Sequence, residues 1–120
     1  MTSVTACIVT FNRQQDLMRC VNAVLSQSMP VTALLIIDNA SSDGTVESLI
    51  NMFDPGCLTQ YLSCNTLMQL RDSNVFLLRL SENTGGAGGF HAALKYAEEF
   101  LYSDYYWLMD DDGYPSQECL

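Results

Sequence analysis

Leu34-Leu35-Ile36-Ile37-Asp38-Asn39-Ala40-Ser41-Ser42-Asp43-Gly44-Thr45 decides the fold: an uninterrupted apolar run turns abruptly polar. Such a run, bounded by turn residues, reads as a strand buried on both faces, as in parallel sheets. Upstream, Val4 to Thr10 (VTACIVT) is another β-branched run, ending at Phe11-Asn12-Arg13. Between them Leu17, Cys20, Val21, Val24 and Leu25 recur at helical spacing, and Met29-Pro30 ends that stripe. Strand, helix and strand in this order predict a βαβ unit with parallel strands.

Downstream, Val46, Leu49, Ile50 and Phe53 predict a second helix, with Ser42 or Asp43 as its N-cap and Asp54-Pro55-Gly56 as its stop. Leu58, Tyr61, Leu62 and Leu67 fit either a short helix or an edge hairpin, and residues 57–74 receive no assignment. Val75 to Leu80 (VFLLRL) reads as a third strand. After a glycine cluster, a helix from Gly89 to Tyr102 is expected to carry Phe90, Ala93, Leu94, Ala97 and Leu101 on one face. Tyr105 to Met109, almost wholly apolar, is read as a fourth, buried strand. Met52, Phe53, Phe76 and Trp107 are expected in the core, with Cys7 and Cys20 as small core hydrophobes. The pattern is that of a doubly wound, mostly parallel α/β sheet with flanking helices, in one domain over residues 1–120. Pro115-Ser116-Gln117-Glu118 reads as the first turn of a further helix, so the chain is expected to be a piece of a longer protein.

Composition narrows the function. The 120 residues are 48% hydrophobic and 10% aromatic, which fits a globular domain with its own core. Five Lys+Arg against fourteen Asp+Glu give a formal charge of -9, which argues against nucleic acid or an anionic membrane surface as the main partner. A phosphorylated small molecule remains compatible, because a bound cation reverses the sign of a site locally. Cys7, Cys20, Cys57, Cys64 and Cys119 are odd in number and lack C-x-x-C spacing, so neither a disulfide framework nor a zinc site is indicated. No apolar run reaches the roughly 20 residues that cross a bilayer. A cytoplasmic location is expected, with the full-length protein peripheral at the inner membrane.

Asp110-Asp111-Asp112 closes the run Tyr105-Tyr106-Trp107-Leu108-Met109. Adjacent carboxylates repel unless water, protons or a divalent cation offset their charge, and hard oxygen donors favour Mg²⁺ or Mn²⁺. A solvated acidic turn is the plain alternative. Placement at the carboxyl end of a strand favours a metal and diphosphate role, with Asp110 and Asp112 facing the same way and Asp111 elsewhere. Asn83-Thr84-Gly85-Gly86-Ala87-Gly88-Gly89 is not a dinucleotide fingerprint, since His91 stands where the last glycine of G-x-G-x-x-G belongs. Its glycines fit either close approach to a ligand or tight helix packing. Asp38 and Asn39 are either a polar cap of the next helix or groups for a base or ribose. His91 reads as a helix-surface or packing residue.

Together, Val9-Thr10-Phe11-Asn12-Arg13, Ile37 to Thr45, Glu82-Asn83-Thr84-Gly85-Gly86-Ala87-Gly88-Gly89-Phe90 and Trp107 to Asp112 resemble the family 2 glycosyltransferases of the GT-A fold. The glycine loop and the aspartate run look most like the galactofuranosyl- and rhamnosyltransferase branch. The resemblance implies an enzyme that takes a nucleoside-diphosphate sugar, a UDP- or dTDP-sugar, and transfers the sugar with inversion to the hydroxyl of a glycan or lipid-linked acceptor, in polysaccharide or cell-envelope glycan synthesis. It implies that Thr10, Phe11, Asn12, Arg13, Asp38, Asn39, Asn83, Gly85, Gly86, Asp110 and Asp111 line the nucleotide sugar. Asp110 and Asp112 would hold Mg²⁺ or Mn²⁺ as the D-x-D motif. The catalytic base is expected beyond Leu120, so the piece alone is expected to lack turnover, and an uncovered face is expected to favour self-association. A sugar-phosphate nucleotidyltransferase is disfavoured because Phe11-Asn12-Arg13 replaces the glycine-rich loop such enzymes carry after the first strand. A noncatalytic nucleotide-binding module is the remaining alternative.

Overall fold

The computed structural model describes residues 3–27, 31–56, 63–71, 73–101 and 103–110. The elements are β1 (Val4–Thr10), α1 (Gln14–Leu25), β2 (Ala33–Asp38), α2 (Thr45–Phe53), β3 (Leu67–Gln69), β4 (Val75–Arg79), α3 (Gly85–Phe100) and β5 (Tyr105–Asp110). They form one sheet in the order β3-β4-β2-β1-β5. Every pairing is parallel except β3 with β4.

The expected doubly wound sheet is present, with its central strands buried on both faces as their sequences require. Ala6 and Ile8 of β1, Leu34 and Ile36 of β2 and Leu77 of β4 pack under Leu17, Cys20, Val21 and Val24 of α1 and Val46, Leu49 and Ile50 of α2. The alternate residues Cys7, Val9, Leu35, Ile37 and Leu78 face Ala93 and Ala97 of α3. Cys7 and Cys20 are buried in the core as expected, and burial pushes the Cys7 thiol up to about 12.

Several details depart from the sequence reading. The unassigned stretch contains the short strand β3, an antiparallel edge to β4, so Leu67 belongs to an edge hairpin; Leu58, Tyr61 and Leu62 lie outside the described residues. α2 begins at Thr45 with Gly44 in the N-cap position at φ 88°, not Ser42 or Asp43. Asp43 still does the capping chemistry, accepting from the Thr45 N–H at 3.1 Å and from the Thr45 hydroxyl. α3 begins at Gly85, a full turn before the expected Gly89. β5 is an outer strand among the described residues rather than a buried one: Tyr105 is 65% and Leu108 38% exposed, and only Met109 is buried. Met52 is 42% exposed, off the buried stripe of α2, and Leu25 and Leu94 are likewise exposed. Phe53, Phe76 and Trp107 pack at the margins of the core.

The glycines at the start of α3 are explained by packing. A Cβ on Gly89 would stand 2.6 Å from Cγ1 of Val9, so only glycine lets the helix lie this close to β1. Gly89→Ala should destabilise the fold by about 1–3 kcal/mol through overpacking, more than offsetting the helix-propensity gain of about 1 kcal/mol. Urea unfolding measures this; an unchanged or higher stability would show that the α3–β1 spacing is not set by that contact.

Candidate functional site

The carboxyl ends of the parallel strands bring the predicted residues to one edge. Thr10 pairs with Asp38, Asp38 with Arg79, and Val9 with Asp110. Because parallel partners share a face, Thr10, Asp38 and Arg79 lie on the α1/α2 side and Asp110 on the α3 side, in line with Val9. The chain leaves β1 for β2 on one side and reaches β5 on the other, so the topological switch falls at β1. Ligands of open α/β sheets collect outside that point.

The loop after β1 is latched to the loop after β2. Asn12, in the left-handed region at φ 50°, donates its N–H to Ser41 Oγ at 2.8 Å, and its Oδ1 accepts from the Ser42 N–H at 2.7 Å. Ala40 is also left-handed, at φ 68°, a conformation that costs a residue with a Cβ about 1–2 kcal/mol and that the latch holds in place. Phe11 stands exposed beside it. Arg13 occupies the N-cap position of α1 and pairs with Asp16 across 3.9 Å on the surface.

The two polar residues at the end of β2, alike in local sequence, have different roles in the structure. The Asn39 side chain is buried and engaged: Oδ1 accepts from the Thr84 N–H at 2.9 Å and the Thr84 hydroxyl at 3.2 Å, and Nδ2 donates to the Gly85 carbonyl at 3.0 Å. The amide thus fixes the glycine loop. Asn83 tightens that loop through its Oδ1, which accepts from the Gly85 N–H at 2.7 Å, with Gly85 at φ 76° and Gly86 following in the first turn of α3. Asp38 is 2% exposed, and its Oδ2 accepts from the Ser41 N–H at 3.2 Å. Its Oδ1 is buried with no hydrogen-bond partner. Burial pushes the Asp38 carboxyl up from its ordinary value, opposed by the Ser41 hydrogen bonds and the positive Arg79.

Asp110 ends β5 exposed, its backbone carbonyl 3.8 Å from the Cys20 thiol. Asp111 and Asp112 lie outside the described residues, among which no group of three or more His, Cys, Asp or Glu side chains is placed to hold a metal. His91 is exposed on α3, the surface role expected of it. Arg79 was not singled out from the sequence. Its signal was a charge inside the otherwise apolar run Val75 to Leu80, one residue before its end.

The family model of glycosyl transferase family 2 matches residues 5–120. The chain belongs to that family. It is 32% identical over 113 residues to the galactofuranosyltransferase GlfT1 of Mycolicibacterium smegmatis, covering 94% of this chain and 31% of that protein. The chain therefore spans about a third of the length of that relative. Among solved structures, the family 2 chain is similar to S. aureus TarS 1-349 in complex with UDP-GlcNAc, at TM-score 0.70 and 19% identity over 96% of this chain and 28% of that one. It is also similar to the mannosyltransferase PcManGT of Pyrobaculum calidifontis in complex with GDP-Man and Mn²⁺, at TM-score 0.71 and 19% identity over 97% and 29%. The fold is thus that of the GT-A glycosyltransferases, as the motifs implied. The match sets aside the nucleotidyltransferase alternative.

The buried Asp38 charge opposes folding. A carboxyl whose proton is held more tightly in the folded state weakens stability as pH rises through that folded value, and has no effect below the unfolded one. Asp38→Asn should therefore raise Tm at pH 7, with the gap over wild type closing as pH falls toward 3.8, the ordinary carboxyl value. A lower Tm for the variant at pH 7 would show that the charge is net stabilising.

Proposed function

We propose that this edge binds the nucleoside-diphosphate sugar of a glycosyl transfer reaction, and that the whole protein moves the sugar to an acceptor hydroxyl. One observation carries the reading: Asp38 Oδ1 is a buried acceptor with no protein donor, at the end of β2 beside the switch point of the sheet. A buried polar atom without a partner is costly, and a ligand N–H relieves it. The imide N–H of uracil or thymine is such a donor, which fits a UDP- or dTDP-sugar. Neighbours of the same fold in complex with UDP-GlcNAc and with GDP-Man and Mn²⁺ support donor binding by this architecture.

In this reading the Phe11 ring lies against the base, and Thr10 to Arg13 run along the nucleoside. The Asn83, Gly85 and Gly86 loop, fixed by Asn39, borders the diphosphate and sugar at the N-terminus of α3, where backbone N–H groups favour anions. Asp110 fits a divalent cation site as an exposed hard-oxygen donor at the strand end, and Asp110 and Asp112 would hold Mg²⁺ or Mn²⁺ there, with Asp111 toward the nucleotide. When bound, the cation supplies charge stabilisation to the departing diphosphate. The chain's own residues bind and orient the donor, so that an acceptor hydroxyl, deprotonated by a carboxylate base, attacks from the opposite face with inversion. The acceptor is a glycan or a lipid-linked acceptor of polysaccharide or cell-envelope glycan synthesis.

Titration with UDP should raise Tm in the presence of Mn²⁺, reaching about 2.7 kcal/mol of stabilisation at a ligand concentration of 100 Kd. Asp110→Ala and Asp112→Ala should each remove the Mn²⁺-dependent part while leaving the ligand-free Tm near wild type. Absence of UDP binding with and without Mn²⁺ would contradict the proposal.

A further inference from the structure

β5 delivers Asp110 to the ligand edge, yet its own burial holds it weakly. Among the described residues it pairs with β1 alone, only Met109 is buried, and Tyr106 and Trp107 pack at the margins of the core. Burial of one face is what ordinarily specifies a strand's register, and a slip of one residue turns every side chain to the other face. For Asp110 the face matters. It pairs with Val9, against which Gly89 of α3 is packed, so this register puts the carboxylate on the same side of the sheet as the glycine loop.

Hydrogen bonds at the opposite end of the strand supply what burial does not. Thr5 of β1 and Ser103, both buried, share a 2.6 Å hydrogen bond between their hydroxyls, and each hydroxyl reaches the Leu101 carbonyl, at 3.3 and 3.2 Å. Whichever hydroxyl donates to its neighbour, the neighbour donates to that carbonyl, which lies at the C-cap of α3. One residue outward on each strand, the Ser3 N–H and hydroxyl both donate to Asp104 Oδ2, at 3.0 and 3.3 Å, and the Ser3 hydroxyl accepts from the Asp104 N–H at 2.9 Å. The Tyr105 N–H then donates to the Ser3 carbonyl at 3.1 Å and opens the β1–β5 ladder. We infer that Ser3, Thr5, Ser103 and Asp104 are positioning residues for Asp110: a latch that fixes the register of β5 on β1 and so decides where the carboxylate stands. At about 3.3 Å per residue the latch acts from about 20 Å away. The inference rests on the donor-site reading above and adds to it residues that touch neither donor nor cation.

The test compares wild type with Thr5→Val/Asp104→Ala, which removes both sets of bonds, and with Thr5→Ser/Asp104→Asn, which keeps an oxygen at each position. Asp104→Ala alone, at an exposed site, serves if the first double variant fails to fold. Without ligand, amide hydrogen exchange in β5 should quicken about tenfold in the latch-less variant while β2 and β4 keep wild-type protection. With ligand, its UDP affinity in Mn²⁺ should fall about tenfold, the scale at which lost outer support weakens a metal site, and its affinity for UDP without Mn²⁺ should not change. Thr5→Ser/Asp104→Asn should restore both. A structural role alone would lower Tm without separating the Mn²⁺-dependent from the Mn²⁺-independent binding. Unchanged exchange in β5, or faster exchange with the Mn²⁺ dependence intact, overturns the positioning role. A wild type that binds UDP no better with Mn²⁺ than without it overturns the cation part of the donor-site reading instead, and the positioning role falls with it.

Discussion

The buried side chain of Asn39 joins parts of the ligand edge that are far apart in sequence. Its amide satisfies the Thr84 N–H and hydroxyl and the Gly85 carbonyl, while its backbone N–H donates to the Thr10 carbonyl at 2.9 Å. One residue therefore ties the ends of β1 and β2 to the first turn of α3. Each buried group left unsatisfied by its loss costs about 1–3 kcal/mol, which is large against the total stability of a small domain. With that amide in place, Gly89 lies close enough against Val9 to exclude a side chain. The position of the glycine loop is thus fixed by hydrogen bonding at its entry and by close packing one turn later.

A rigid frame of this kind leaves little protein polarity free at the edge. Asn12, Asn39, Ser41 and Asn83 all spend hydrogen bonds on shaping loops. Asp38 differs from them, with one oxygen satisfied by its own loop and the other buried and unmatched. That unmatched oxygen separates Asp38 from an ordinary helix-capping aspartate, and in the proposed reading the ligand makes the deficit good. Asp110, on the opposite face of the same edge, is exposed and suits a partner that arrives with its own charge. The two carboxylates flank β1, and in the proposed reading one faces the base and the other the diphosphate.

The sequence made the central strands and α1 legible because their burial pattern is strong and local: VTACIVT and LLIID are apolar on both faces, and Leu17, Cys20, Val21 and Val24 form a clean stripe. β3 was not legible, since two half-buried residues and one exposed residue at a sheet edge show no period. The start of α3 was misplaced because glycine opposes helix locally, and the bonds that start the helix come from Asn39, some 45 residues earlier. β5 looked buried because its residues are apolar, but burial depends on neighbouring strands and not on composition. Asp38 and Asn39 were indistinguishable as neighbours in a polar turn. Only the tertiary partners of Asn39 reveal which of them is available to a ligand.

Amide chemical-shift mapping with UDP and Mg²⁺ tests the central claim most directly, because it locates the ligand without relying on turnover. The shifts should concentrate at residues 10–13, 38–42, 83–86 and 110, with the opposite sheet edge at Thr32, Ser73, Asn74 and Ser103 unchanged. Shifts confined to that opposite edge, or none at saturating UDP, would contradict a nucleotide-sugar site at the carboxyl ends of the strands.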